Sequence, residues 1–220
     1  MKIVSLNVGR PRLVMRDGNP VSTAIFKEPV IGRVHLRTLN LDGDRQADLT
    51  VHGGPPKAVY VYPSEHYDYW KGEFPQMDLP WGMFGENFTT EGLSETEQNI
   101  GDKFVVGAAT VMVTEPRMPC YKLGIRFGRT DIIKRFLASG RTGFYLAVLQ
   151  EGEVGVGDAI ELIERHQSGI KVSDITRLYV SHGADTALLR RAAELEPLPE
   201  SWRTYFQERL KKLSAASKPR

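Results

Sequence analysis

The sequence predicts a mainly β body in an α+β chain, followed by a small domain of three helices. Up to about residue 165, short apolar segments alternate with polar residues and are separated by turns rich in glycine and aspartate. Beyond Ser168 the apolar residues recur at helical spacing instead. Many short strands joined by such turns favour a barrel over a parallel sheet. We therefore expect a β-barrel with peripheral helices over residues 1–167 and a helical domain over residues 168–220.

The strands of the body are predicted from their local pattern. They are short stretches in which apolar residues alternate with polar ones or form a run between turns. We expect them at residues 2–8, 32–39, 58–62, 104–113, 142–149 and 158–163. Turns are expected where glycine, asparagine, aspartate and proline gather, at residues 17–20, 41–48 and 152–157.

Helical patterns occur both within the body and after it. Pro63 and Ser64 begin a short helix that runs to Trp70, and Thr130 is the expected N-cap of a helix that ends at Gly140. The three tail helices are expected within residues 173–183, 185–196 and 202–213. The aromatic residues between positions 60 and 70 are expected to pack together, because no basic residues interleave them as nucleic-acid stacking requires.

Composition excludes several classes of protein. The 220 residues are 41% hydrophobic and 25% charged, as is typical of a globular protein, and the net charge is only +2. Such a charge does not favour nucleic acid or an acidic membrane as a partner. No signal-peptide pattern or membrane-spanning run is present, and a single cysteine excludes an internal disulfide. We expect a protein of the reducing cytoplasm.

The sequence also limits which redox groups the chain can hold. A cysteine-ligated iron–sulfur cluster needs several thiolates, whereas this chain has one cysteine. The dinucleotide fingerprint G-x-G-x-x-G is missing, as is the phosphate loop G-x-x-x-x-G-K-[ST]. We therefore expect no intrinsic iron–sulfur, flavin or nicotinamide site, so that electrons for any redox reaction must come from another molecule.

The strongest candidate for chemistry is the segment around Cys120. Pro116 and Pro119 stiffen this segment, which follows the apolar run 104–113, and Arg117 and Lys122 flank the thiol. Nearby cations favour the thiolate, which is the form that attacks electrophiles or binds metals. The alternative is a buried structural cysteine, the common state of an unbridged thiol.

Two further segments are weaker candidates. His52, Gly53, Gly54 and Lys57 lie close in sequence, and the two glycines would let the backbone approach a ligand; alternatively the segment is an ordinary turn. Glu86 follows Gly85 and has the chemistry of a general acid or base, but a lone glutamate in a turn usually has no such role.

Together these motifs resemble the MOSC-domain family, specifically its YiiM-like bacterial members. The resemblance extends from about residue 2 to residue 165, and the helical tail is similar to the three-helix appendage of those members. It implies a closed β-barrel, a molybdenum–pterin cofactor and the reduction of N-hydroxylated nucleobase analogues and amidoxime-like compounds. The motifs that carry it, in order, are Gly43-Asp44, His52-Gly53-Gly54, Phe84-Gly85-Glu86-Asn87 and the run from Pro116 to Leu123.

The resemblance also assigns roles to individual residues. Cys120 matches the family's molybdenum ligand, and a thiolate is a soft donor suited to a metal already held by dithiolene sulfurs. Positions expected to bind the pterin and its phosphate correspond to Lys27, Arg45, His52, Asn87 and Arg117. Lys57 and Lys122 are further candidates on local chemistry alone.

The implied partners are a small N-hydroxylated substrate and an external electron-transfer reductase. The sequence leaves open whether the protein forms a homodimer. It also leaves open two other functions: a non-catalytic carrier of the molybdenum cofactor, and a transferase or hydrolase in which Cys120 is the nucleophile and His52 the base.

Overall fold

A computed structural model describes residues 1–48, 53–181 and 185–216 of the chain. The strands in this part of the chain are β1 (Lys2–Val8), β2 (Arg12–Arg16), β3 (Asn19–Thr23), β4 (Glu28–Pro29), β5 (Arg33–Leu36), β6 (Val59–Pro63), β7 (Phe88–Glu91), β8 (Lys103–Val106), β9 (Ala109–Pro116), β10 (Phe144–Gln150), β11 (Gly152–Gly155) and β12 (Ile160–Glu164). The helices are α1 (Glu65–Glu73), α2 (Tyr121–Phe127), α3 (Ile132–Ser139), α4 (Val172–Val180), α5 (Thr186–Ala193) and α6 (Glu200–Ala216).

The body is a curled, mostly antiparallel sheet of eight strands in the order β12-β8-β9-β10-β6-β7-β1-β4. Within it, β6 and β7 pair in parallel. The closed barrel expected from the sequence is not confirmed, because β12 and β4 are the edges of this sheet. An isolated bridge between Lys2 and Ala159, together with backbone hydrogen bonds such as Ile3 N to Asp158 O at 3.0 Å, brings β1 towards the segment before β12.

The structure corrects the expected elements in three places. The run 104–113 is not one strand but the hairpin β8–β9, which turns at Gly107 with a φ of 56°. The glycine-rich segment 152–157, expected to be a turn, begins with strand β11 paired to β5. Residues 17–20 do contain a turn, but it joins β2 to β3 in a separate hairpin.

The helices agree with the sequence prediction except after Cys120. The segment 121–127, for which no helix was predicted, is the short helix α2, and the N-cap of α3 is Asp131 instead of Thr130. The three predicted tail helices are present as α4, α5 and α6. None of the helices in the described ranges is long and apolar enough to cross a membrane.

The hydrophobic core extends without a break from the sheet into the tail. Phe104 and Val111 of the sheet belong to one buried cluster with Ile175 of α4 and Phe206 of α6. Burial of such side chains contributes about 1.5–3 kcal/mol each, so the tail is stabilised through the sheet. The placing of a domain boundary at residue 167 stays a prediction.

A second core is aromatic and lies beneath α1, α2 and α3. Tyr62 stacks on Phe84 with ring centroids 4.3 Å apart, and Trp70 stacks on Phe136 at 5.9 Å. The aromatic residues of segment 60–70 therefore form a packing cluster, as the sequence predicted. This cluster supports the floor of the cleft described next.

Candidate functional site

A cleft opens where the segment after β3, the loop 44–47, the start of β6, the loop 84–87 and the segment 117–122 meet. It encloses about 680 Å³ counted to its open mouth. Most of the residues predicted from the sequence line it, namely Lys27, Arg45, Lys57, Asn87, Arg117, Cys120 and Lys122. The structure thus brings together side chains that are up to 95 positions apart in the chain, from Lys27 to Lys122.

The two predicted glycines are not part of the cleft lining. Gly54 has a φ of 96°, a conformation that favours glycine, and it precedes the 3₁₀ turn Pro55–Lys57. Thr114 Oγ1 donates a hydrogen bond of 2.6 Å to Pro56 O and holds this turn on β9. Gly53 and Gly54 therefore bring Lys57 to the cleft, whereas His52 lies outside the described residues.

Cys120 is the N-cap residue of α2 and is partly buried in the cleft. Its backbone is extended, with φ −119° and ψ 172°, so it follows Pro119 and turns directly into the helix. Arg117 and Cys120 are close enough to interact electrostatically. A thiol placed beside a buried cation at a helix N-terminus has the surroundings in which cysteine reacts as a thiolate.

Arg117 is the most unusual residue of the cleft. It is only 5% exposed, and its guanidinium lies 5.2 Å from the ring centroid of Tyr60 and 5.0 Å from that of Phe136. Its Nη1 is buried without a hydrogen-bond partner, and none of the described residues forms an ion pair with it. Because a buried cation is normally neutralised by an anion, this arrangement indicates a negatively charged ligand.

Lys27, in contrast, is neutralised within the protein. Its Nζ lies 2.7 Å from Asp44 Oδ1 and 2.6 Å from Asp44 Oδ2. Burial lowers the pKa of Lys27, and Asp44 acts in the opposite direction. An ammonium has three N–H donors, so at most one remains for a ligand in the cleft.

Asn87 and Asp44 hold the back wall of the cleft together. Asn87 Nδ2 donates to Asn7 O at 3.2 Å and to Asp44 Oδ2 at 2.9 Å, and its Oδ1 accepts from Tyr60 N at 3.1 Å. Asp44 also accepts from Gly9 N at 2.7 Å. With its polar atoms engaged in this way, Asn87 braces the wall, and Asp44, which lies in one of the sequence motifs but was assigned no role there, is a site residue.

The remaining cations add positive charge to the cleft. Lys122 is 9% exposed and makes no ion pair with any described residue. Lys57 Nζ lies 4.0 Å from Glu115 Oε1. Arg45 is exposed at the mouth, where its backbone N donates to Gly9 O at 3.0 Å. The cleft as a whole is suited to an anionic ligand with one end near Cys120.

Tyr145 is a second cleft residue that the sequence did not single out. It comes from β10, which the sequence predicted, but its neighbours come from elsewhere in the chain: Tyr60 from β6 and Arg117 from the segment after β9. Burial raises the pKa of Tyr145 to about 12. Its hydroxyl therefore stays protonated near neutral pH and is available as a hydrogen-bond donor.

Glu86 lies beneath the cleft and stabilises the loop before β7. It accepts hydrogen bonds from Gly82 N at 2.8 Å, Phe84 N at 3.1 Å and Thr89 Oγ1 at 3.0 Å, and also from the Tyr67 hydroxyl. Burial raises the pKa of Glu86, and these hydrogen bonds act in the opposite direction. This supports the structural interpretation of Glu86 over the acid–base one.

Comparison with known proteins agrees with this combination of sheet and cleft. A family model described as the MOSC domain matches residues 48–161, which is 114 of 220 residues and thus more than half of the chain. The chain belongs to the MOSC-domain family. A second model, described as the YiiM-like 3-alpha helix domain, matches residues 172–213 and accounts for the tail of this MOSC protein.

Individual relatives extend over nearly the whole chain. YflK from Bacillus subtilis is 41% identical over 96% of this chain and 95% of its own length. YiiM from Escherichia coli is 36% identical over 88% of this chain and 86% of its own length. A protein from Gibberella moniliformis named "Reductase" is 33% identical over 88% of this chain, which corresponds to 35% of that longer protein.

The fold agrees with that of a solved YiiM structure. The crystal structure of YiiM from Geobacillus stearothermophilus superposes with a TM-score of 0.80 at 34% identity. The superposition covers 95% of this chain and 98% of that one. The mixed sheet and the helical tail are therefore shared with YiiM.

Proposed function

We propose that this MOSC protein binds a molybdenum–pterin cofactor in the cleft and reduces N-hydroxylated compounds with electrons from an external donor. The observation that supports this most is Arg117, a buried guanidinium with an unpartnered Nη1 in the same cleft as Cys120. A pterin phosphate would be the negatively charged partner that this guanidinium does not have among the described residues. Cys120 is the only thiol in the chain, so any sulfur ligand from the protein must be Cys120.

The residues present fit the cofactor by charge and by donor type. Arg117 and Lys122 would hold the phosphate, since neither has an anionic partner among the described residues. Cys120 would provide one soft ligand to the metal. Lys27 and Asn87 would form the wall behind the pterin, because Asp44 already occupies most of their donors.

The cofactor, when bound, would supply the two-electron chemistry, and the chain would orient the substrate and control protons. Reduction of an N–OH group to N–H consumes two electrons and two protons and releases water. Tyr145 faces the cleft with a protonated hydroxyl, so it can donate a hydrogen bond to the substrate oxygen. The positive charge of the cleft would stabilise the negative charge that develops on the departing oxygen before that oxygen takes up its protons and leaves as water.

Two properties of the chain support an external electron donor. One cysteine is too few for an iron–sulfur cluster, and the fingerprint of a dinucleotide site is missing from the sequence. We propose that the donor is a separate reductase and that the setting is the cytoplasm. The fungal relative named "Reductase" has further sequence outside the matched region, since the match covers 35% of its length.

The test is to produce the protein in a host that makes molybdopterin and in a matched host that does not. We expect molybdenum near one atom per chain from the first host only, measured by elemental mass spectrometry. With an artificial electron donor, only the molybdenum-loaded protein should reduce an N-hydroxylated nucleobase or an amidoxime. Bound molybdenum without turnover would favour a cofactor carrier, and turnover without molybdenum would contradict the proposal.

A further inference from the structure

Two arginines converge on one aromatic ring, that of Phe26, whose chain neighbours Ile25 and Lys27 line the cleft. The guanidinium carbon of Arg12 lies 3.6 Å from the ring centroid of Phe26, and that of Arg126 lies 5.0 Å from the same centroid. Arg126 Nε is buried and has no hydrogen-bond partner. Neither arginine forms an ion pair with a residue in the described ranges.

The same arrangement occurs a second time in this chain, with one difference. Arg129 and Arg135 lie 4.5 Å and 5.7 Å from the ring centroid of Phe74. There, however, Asp131 joins the two guanidinium groups: its Oδ1 lies 2.6 Å from Arg129 Nε and its Oδ2 lies 3.0 Å from Arg135 Nε. Arg135 also contacts Glu73 at 2.8 Å. Two arginines on one ring are thus bridged by a carboxylate at Phe74, whereas none of the described residues bridges the pair at Phe26.

The electrostatics of the pair at Phe26 agree with this comparison. Burial lowers the pKa of Arg126, and the positive charge of Arg12 lowers it further. Glu86 and Glu28 act in the opposite direction but less strongly than Arg12, and neither forms an ion pair with Arg126. The two like charges therefore repel each other within the folded protein, and an anion placed between them would relieve that repulsion.

The position of the pair connects it to the cleft. Arg126 follows Lys122 by four residues on α2, so the two side chains lie on the same face of the helix. Phe26 lies between Ile25 and Lys27, which both line the cleft, and Arg12 of β2 pairs with Thr23, another lining residue. A ligand that extends from Cys120 past Lys122 would reach the two arginines.

We infer that Arg12 and Arg126, packed on Phe26, form a second anion-binding site at the rim of the cleft, which takes the phosphate or carboxylate of a bound ligand. At Phe74, Asp131 lies between the two guanidinium groups. At Phe26, the anionic group of the ligand would take the corresponding place between Arg12 and Arg126. Which ligand brings the group rests on the proposed function: either the substrate is itself an anion such as an N-hydroxylated nucleotide, or the cofactor extends its phosphate to this pair instead of to Arg117 and Lys122. The site itself does not depend on that choice.

The first experiment measures the site without any reaction. The full-length protein, labelled with ¹⁵N in its arginine side chains, is titrated with inorganic phosphate, and the Nε–H signals are followed by NMR. We expect the Arg126 signal to shift and the double variant Arg12→Gln/Arg126→Gln to bind phosphate about tenfold more weakly or worse, since each charge-assisted contact contributes roughly that factor. Arg129→Gln is the matched control, because it removes an arginine from Phe74, and it should bind like wild type.

A second experiment identifies the source of the anion. If the substrate brings it, the double variant raises KM for an N-hydroxylated nucleoside 5′-monophosphate about tenfold or more and leaves KM for the corresponding base unchanged. If the cofactor brings it, the double variant loses molybdenum and pterin on purification, whereas Arg129→Gln keeps both. Equal phosphate binding by wild type and the double variant would overturn the inference, whether or not the protein proves to be a reductase.

Misfolding of the variant would be recognised by its melting temperature. Because the change removes two like charges that have no partner, we expect the double variant to melt at the wild-type temperature or above it. Arg129→Gln breaks the contact with Asp131, so it should melt at the same temperature or slightly lower. Weak phosphate binding together with an unchanged or higher melting temperature supports a ligand site, and weak binding with early melting would contradict it.

Discussion

Replacing Arg117 by methionine should stabilise the cofactor-free protein and abolish its ability to hold the cofactor. The guanidinium is 5% exposed, and its Nη1 has no partner. A buried unsatisfied donor destabilises a fold by about 1–3 kcal/mol, and the buried charge adds to this. Methionine has a similar length and no polar hydrogen, so Arg117→Met removes both penalties.

The substitution also removes the aromatic contacts of Arg117, and this loss lowers the stability of the fold. Its guanidinium lies over Tyr60 at 5.2 Å and over Phe136 at 5.0 Å, contacts that together contribute about 1–2 kcal/mol. The net expectation is a gain of about 1–2 kcal/mol. For a chain of this size each kcal/mol shifts the melting temperature by about 2–4 °C, so the variant should melt about 2–8 °C above wild type.

The assay compares melting temperatures of protein from a host without molybdopterin and metal content from a host with it. Arg165→Met is the control, because Arg165 Nη1 lies 2.8 Å from Asp102 Oδ2, which is fully buried, and removing this partner should lower stability. If Arg117→Met melts several degrees below wild type without cofactor, Arg117 is a structural residue. If the variant retains molybdenum at the wild-type level, the guanidinium is not needed to hold the cofactor.

Three further predictions concern the sulfur, a buried carboxylate and the electron donor. Cys120→Ser should abolish reductase activity, because a hydroxyl is a hard ligand that is scarcely ionised near neutral pH. It should change the free energy of unfolding by about 0.5 kcal/mol or less, because the side chain is partly exposed. A variant that melts early but still turns over would remove Cys120 from the mechanism. Glu115→Gln should be more stable than wild type at pH 7, because burial raises the pKa of Glu115 above its ordinary value of 4.5 and its charged form is disfavoured in the folded state. This advantage should shrink as the pH falls through the raised pKa towards 4.5 and be gone below about 4.5. An equal difference in melting temperature at every pH would contradict this. The purified protein should not oxidise NADH or NADPH in the presence of substrate unless a reductase partner is added, and turnover with the nicotinamide alone would refute the prediction.

The strands were predictable where one face is buried and the other is not. β1 alternates in this way at its start, so the sequence pattern is sufficient there. β12 was predicted from its apolar residues, although only Ile160 at its start is buried. Glycine misled the prediction at β11. A Cβ on Gly152 would lie 2.3 Å from Ala108 O, so that glycine permits close packing of two backbones and does not mark a turn.

The helix α2 was missed because its sequence contains weak helix signals. Cys120 is a poor N-cap residue that makes no side-chain cap hydrogen bond, and Gly124 lies in the middle of the helix. A Cβ on Gly124 would lie 3.2 Å from Arg129 O, so the glycine allows the chain to fold back closely before α3. Tertiary packing of Leu123 and Phe127 in the aromatic core compensates for the low propensity.

From local pattern alone, the site was predictable only where its residues are neighbours in sequence, whereas Lys27, Arg45 and Asn87 were identified through the family resemblance. Arg117, Cys120 and Lys122 fall within six positions, so their shared chemistry is visible in the sequence itself. The pairing of Lys27 with Asp44, and the approach of Arg126 to Arg12, depend on strand order and could not be read from local pattern. This is why the sequence treated Lys27 as a ligand-binding cation and did not single out Arg126.

The helical tail is connected to the cleft wall through one buried carboxylate, Glu115. Trp202 Nε1 of α6 donates a hydrogen bond of 2.6 Å to Glu115 Oε2, and Glu115 Oε1 lies 4.0 Å from Lys57 Nζ in the cleft wall. Glu115 is also two residues before Arg117 on the strand that leads to Cys120. Without Trp202, one oxygen of a buried carboxylate would lose its donor, at a cost of about 1–3 kcal/mol, and the strand would lose its anchor next to the site. The tail is therefore part of the structure that keeps the positive cleft in place.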